Sequence, residues 1–245
     1  MFNDKQYSEI NREERFFCFL FSHSLLMSRQ VRGGLAQLAN SKLGISLDPD
    51  ALEVYVEVAA LRDYWNDLGS PVVYSEETHA KRRKVLELIL NEFQLPASTL
   101  DDYDLFWTSV RGGKLWSPSQ WSIEELKQAG LEDLIKVRWA FNAKPDILLI
   151  SPATMVLVEA KLESSEGRKE ETGYQQYEIQ KLIARLWQLL IPQFSKRSLH
   201  ITTLEVKPPQ NGIAWQDILD LVKDADIDSF SRECLLQLQR YYIKQ

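Results

Sequence analysis

The segment Lys144-Pro145-Asp146-Ile147-Leu148-Leu149-Ile150-Ser151-Pro152-Ala153-Thr154-Met155-Val156-Leu157-Val158-Glu159-Ala160-Lys161 sets three ionisable residues at the ends of two apolar runs. Ser151 to Thr154 has turn chemistry, with Pro152 where a β-turn favours it, so the runs pair as a hairpin and Asp146 falls opposite Glu159. Side chains alternate along a strand, which puts Glu159 and Lys161 on one face beside Asp146. Facing carboxylates repel, and flanks that read as strands buried on both faces make charge there costlier still. A divalent cation between them removes the penalty. Oxygen ligands suit Mg²⁺ or Mn²⁺, whose chemistry is to polarise a phosphoryl oxygen and lower the pKa of a bound water. Lys161 is then placed to stabilise developing negative charge or to orient that water.

The elements that must hold these residues follow from periodicity. Asn11-Arg12-Glu13-Glu14 ahead of the apolar run Phe16 to Met27 predicts a capped helix with an acidic first turn, stopped at Gly33-Gly34. Residues 35 to about 121 read as helical, with Ala51 to Leu68 and His79 to Phe93 as amphipathic segments. From Leu134 the period shortens. Lys136 to Phe141, Asp146 to Ile150 and Met155 to Leu162 read as three strands, followed by an amphipathic helix over Thr172 to Leu190 and a strand over Leu199 to Val206. Trp215 to Val222 and Phe230 to Tyr242 predict two closing helices.

Pro145-Asp146 followed by Glu159-Ala160-Lys161 resembles the PD-(D/E)xK signature of restriction-endonuclease-like nucleases, and the order of elements around it is similar to that superfamily's core. The resemblance covers the first helix and residues 134 to 206. It implies an α/β fold: a helix, a three-stranded meander, a helix and a strand, with a helical insertion and C-terminal helices. The corresponding divisions are 1–34 for the first core helix, 35–125 for the insertion, 126–210 for the core sheet and helix, and 211–245 for the last helices.

It also implies roles. Asp146 and Glu159 would bind Mg²⁺ or Mn²⁺, and Lys161 would assist catalysis. A further carboxylate often comes from the first helix, where Glu13 and Glu14 are the candidates. Glu14 is preferred because it aligns at helical spacing with Phe17, Cys18, Phe21 and Leu25. Gln176 and Gln180 share a face of the following helix and resemble the glutamine-bearing helix of several nuclease branches, although Ile179 stands where a Gln-x-x-x-Tyr pattern starting at Gln175 needs tyrosine. Gln176 joins the catalytic set on this reading, while Lys144, Arg168, Lys169 and Gln180 are the expected contacts to nucleic acid. The activity implied is metal-dependent hydrolysis of phosphodiester bonds, with DNA favoured over RNA; the alternative is a catalytically silent nuclease-fold module that binds nucleic acid or a protein partner.

Composition narrows the classes around this reading. A net charge of −6 argues against a uniformly basic coat for nucleic acid, leaving local patches such as Lys81-Arg82-Arg83-Lys84. The two cysteines lie far apart in apolar helical patterns and the three histidines lack ligand spacing, which excludes a zinc site. With no secretion-like start and no membrane-length apolar stretch, a cytoplasmic location is the expectation. Glu163 continues the Lys161 face, and Phe106, Trp107, Trp116 and Trp121 either stack on bases or fill a small helical core. The inserted helices are where a second copy or a protein partner would dock.

Overall fold

A computed structural model describes residues 14–69, 75–101, 117–162, 176–210 and 212–243. The chain is α/β and divides into two compact units. The first comprises Met1–Val58, Pro145–Glu166 and Arg197–Gln245, and the second Ala59–Lys144 and Gly167–Lys196. Among the described residues no helix is long and apolar enough to cross a membrane.

The first unit is built on a five-stranded mixed sheet whose spatial order follows the chain: β1 (Glu53–Val56), β2 (Ile147–Ser151), β3 (Thr154–Lys161), β4 (Ser198–Glu205) and β5 (Ile213–Ala214). The β1/β2 and β2/β3 pairs are antiparallel, and β3/β4 and β4/β5 are parallel. The hairpin has the expected register: Ser151 pairs with Thr154 and Ile147 with Val158. Every residue of β2 is buried, as is all of β3 before Lys161, which is why both strands read as continuous apolar runs.

Among the described residues of this unit four α-helices pack together: α1 (Glu14–Met27), α2 (Arg29–Leu43), α8 (Trp215–Val222) and α9 (Ser229–Leu238), the last running into a π-helical turn (Gln239–Ile243). Phe17, Cys18, Phe21 and Leu25 of α1 join Ile147, Leu149, Val156, Val158 and Ala160 of the sheet in one apolar core, completed by Trp215, Ile218 and Leu235. Burial of that many large side chains, each worth roughly 1.5–3 kcal/mol, is what fixes α1 against the strands.

The second unit is helical among its described residues: α3 (Ala60–Asp67), α4 (Glu76–Phe93), a short 3₁₀ turn (Pro118–Gln120), α5 (Ile123–Gln128), α6 (Glu132–Asn142) and α7 (Gln176–Leu190). Trp65 and Phe141 meet edge to face at its centre, and buried Arg82 lies over the Trp65 ring while donating to the Gly69 carbonyl. The basic run is therefore partly structural. Trp121 is buried as core filler, whereas Phe106, Trp107 and Trp116 lie outside the described residues.

Three sequence expectations are corrected. Lys136 to Phe141 is not a strand but lies within α6, where Leu134, Ile135, Val137, Ala140 and Phe141 are buried and Glu132 and Asp133 occupy the first turn. Short apolar runs suit either state, and here the acidic start and helical spacing prevail. The first strand of the meander is instead Glu53–Val56, inside the segment read as a helix over 51–68, because alternation governs its first part and helical spacing only 60–67. The first helix breaks at Ser28, whose hydroxyl caps α2 by accepting from the Val31 amide. Gly33 and Gly34 lie inside α2.

Candidate functional site

Asp146, Glu159, Lys161 and Glu14 come together in the first unit. Asp146 immediately precedes β2, and its Oδ2 accepts a hydrogen bond from the Ala160 amide at 2.7 Å, so the carboxylate is locked against β3. Glu159 lies one register step beyond the Ile147–Val158 pair, opposite Asp146 as the turn predicts. Both are buried, Asp146 to 8% exposure and Glu159 to 4%. Lys161 Nζ donates to Glu159 Oε1 at 2.6 Å and to Glu14 Oε1 at 3.5 Å. Glu14 Oε2 accepts from the Leu162 amide at 2.9 Å, which ties the start of α1 to the end of β3. Trp215 Nε1 holds the Lys161 carbonyl from α8.

The charges are unevenly compensated. Burial, followed by the charge of Glu159, pushes the Asp146 pKa up to about 7, against the pull of the Ala160 amide and Lys161. Burial works against a charged Lys161, yet its bond to Glu159 and the surrounding carboxylates outweigh it and hold its pKa above the ordinary lysine value. The ammonium thus serves Glu159 and Glu14 from within the protein. The Asp146 carboxylate is answered by the Ala160 amide and, less directly, by Lys161.

Beside Asp146 lies a cavity of about 230 Å³ lined by Arg15, Cys18, Phe19, Val56, Glu57 and Asp146. The Cys18 thiol is pushed well above its usual pKa, first by burial and then by Asp146, Glu14 and Glu159. That favours the neutral thiol, the less nucleophilic form.

Glu57 was not singled out by sequence reasoning. Val56 pairs with Ile147, which brings Glu57 opposite Asp146 from the other side, and the Glu57 amide donates to the Asp146 carbonyl at 3.3 Å. Its φ of 55° is left-handed, a conformation that costs a non-glycine residue roughly 1–2 kcal/mol. The Glu57 carboxylate pairs with Arg15 Nε at 3.4 Å. The one signal in the sequence was the alternation Glu53-Val54-Tyr55-Val56-Glu57, which a strand reading of that stretch would have used.

The remaining candidates belong to the second unit or fall outside the described residues. Gln180 is buried on α7 in the second unit, Gln176 begins that helix with its side chain outside the described residues, and Lys144 is half-buried at the end of a second-unit segment. Glu13, Glu163, Arg168 and Lys169 lie outside the described residues. Among the described residues, no three His, Cys, Asp or Glu side chains are gathered as a metal cage. The carboxylates that could hold a cation are Asp146 and Glu159, and such a pair would suit a hard cation that keeps several waters.

No protein-family model, curated protein or solved structure matches the chain.

Proposed function

We propose that the chain is a Mg²⁺- or Mn²⁺-dependent nuclease that hydrolyses phosphodiester bonds of nucleic acid, DNA in preference to RNA, through a PD-(D/E)xK site of Asp146, Glu159 and Lys161. The observation that carries this is a pair of buried carboxylates, Asp146 just before β2 and Glu159 in β3, close enough that the charge of one raises the pKa of the other, with an ammonium bonded to Glu159. The order of elements is compatible with it: α1 and α2, three antiparallel strands, α7 and a strand parallel to β3, with 59–144 lying between the first and second strands.

In the reaction a water oxygen bonds to phosphorus, the bond from phosphorus to the leaving oxygen breaks, and a proton passes to the departing oxygen. Asp146 and Glu159 would hold the cation, which when bound supplies polarisation of the phosphoryl oxygen and an acidified water. Lys161 presents fixed positive charge toward the oxygens on which negative charge grows. Glu14 positions Lys161 and binds the end of β3, so its part is indirect. Asp146 would serve as a ligand only when ionised, and a cation held there would replace the proton that burial otherwise favours.

One observation favours a second reading, a catalytically silent module that binds nucleic acid or protein. Lys161 already compensates Glu159 and Glu14 without any ion. Labelled single- and double-stranded DNA and RNA, incubated with Mg²⁺, Mn²⁺ or EDTA, separate the two. The nuclease reading expects metal-dependent cleavage that falls by roughly 10²–10³-fold in Lys161→Ala, the scale on which loss of one transition-state charge contact is felt. Absence of cleavage in every arm, or full activity in Lys161→Ala, overturns it.

A further inference from the structure

The outer face of α1 carries Arg15, Phe19 and His23 at one-turn intervals, and the first two line the cavity that Asp146 also lines. Phe19 is 56% exposed. Its ring lies 6.2 Å from that of His23 with the planes only 19° apart. The His23 ring is in turn steadied at Nδ1 by Asp228 Oδ2 at 3.5 Å and Ser231 Oγ at 3.4 Å. The Arg15 side chain is 72% exposed, and its Nε pairs with Glu57 Oε1 at 3.4 Å. A solvent-screened pair of this kind is worth little, so an anion at the exposed guanidinium would compete with Glu57 at small cost.

A cation and a flat ring one helical turn apart, on the rim of a cavity that reaches a buried carboxylate, match the repeat of a nucleic-acid strand: phosphate, then base. We propose that this ridge receives an unpaired nucleotide next to the bond to be cut, with Phe19 stacking on the base and Arg15 contacting the phosphate, so that single-stranded nucleic acid is the substrate class. The inference rests on the nuclease reading for its substrate. Stacking on a side chain needs a base face that a duplex keeps covered, and an aromatic accepts any base because every base has a π-face. A cavity of about 230 Å³ also falls below the roughly 300–1,000 Å³ that encloses a whole small ligand. Its lining sets the Glu57 and Asp146 carboxylates beside Cys18 and Val56, so the phosphate belongs at the exposed Arg15 on the rim, and the base against Phe19 next to it. Leu26 and Met27 continue the exposed face beyond His23, but the cation and the cavity lie at the other end of the helix, which favours a polyanion over an apolar partner.

The test is equilibrium binding of a labelled oligothymidylate to the full chain, with Ca²⁺ replacing Mg²⁺ to suppress turnover, alongside the same strand carrying abasic sites and a hairpin duplex. Phe19→Ala is expected to weaken binding of the intact strand by roughly 5- to 150-fold, to leave the abasic strand and the duplex unchanged, and to be rescued by Phe19→Trp. Arg15→Ala should weaken intact and abasic strands alike. Equal losses on intact and abasic strands in Phe19→Ala, unaltered binding, no binding by the parent protein, or a dimer that Phe19→Ala dissolves would each overturn the proposal. Phe19-dependent binding without cleavage in any metal would sustain this inference and remove the nuclease reading, while cleavage with no dependence on Phe19 would do the reverse.

Discussion

Asp146 carries the most informative electrostatics in the molecule. Its pKa is raised by burial and by Glu159 to about 7, whereas in the unfolded chain an aspartate titrates near 4. Between those values the folded state binds the extra proton, so stability is fully present below about pH 4 and is lost as the pH rises through about 7. Asp146→Asn keeps an oxygen acceptor for the Ala160 amide but has no charge to bury. In EDTA the variant is therefore expected to melt close to the parent at about pH 4 and above it at about pH 8, read by thermal denaturation across that range. Added Mn²⁺ should raise the parent's midpoint at the higher pH and leave the variant's unmoved. A parent midpoint indifferent to Mn²⁺ would count for the silent module, since ligands that bind only the folded state must stabilise it.

Between elements, the positioning of the site depends on how closely α1 and its neighbours approach the strands. Glu14 joins α1 to β3, and α2 continues from α1 after the Ser28 cap. Gly34 of α2 faces α8 so closely that a β-carbon there would stand 2.5 Å from Leu221 Cδ2, whereas one on Gly33 would meet nothing within 4 Å. Gly33→Ala should therefore raise stability by roughly 0.5–1 kcal/mol, the usual helical gain. Gly34→Ala should forfeit that gain, because Leu221 must leave its rotamer at a cost of roughly 0.5–1.5 kcal/mol. Urea denaturation of both variants measures the difference. Pairing Gly34→Ala with Leu221→Ala should recover part of it, as expected for neighbours that couple.

At the scale of the whole chain, the second unit is assembled from two separated segments, 59–144 and 167–196. Its α7 buries Ile179, Ile183, Ala184, Leu186 and Trp187 and packs against α3 and α4. Deleting 59–144 while keeping the rest would strip that helix of these partners and expose large apolar side chains. Such a deletion is expected to give an aggregating or partly unfolded product, checked by size exclusion and circular dichroism, and a monodisperse, cooperatively melting product would show that the helical unit is dispensable to the sheet.

What the sequence by itself determined was local. The turn at Ser151 to Thr154 set the register of β2 against β3, and with it the pairing of Asp146 and Glu159 and the shared face of Lys161, because two-residue connections leave a hairpin little choice. The closing helix Trp215–Val222 and the strand Ser198–Glu205 were legible for the same reason, each having its period and its stops in one short stretch. Tertiary structure alone decided the rest. Whether 53–56 or 136–141 supplies the first strand depends on partners some ninety residues away for the one and on helical packing for the other, and short apolar runs carry no preference strong enough to settle it. The left-handed Glu57 opposite Asp146, and the ammonium of Lys161 shared between Glu159 and Glu14, exist only once α1, β1 and β3 have met. Spacing along a chain fixes which side chains share a strand face; only close packing fixes which charges must answer one another.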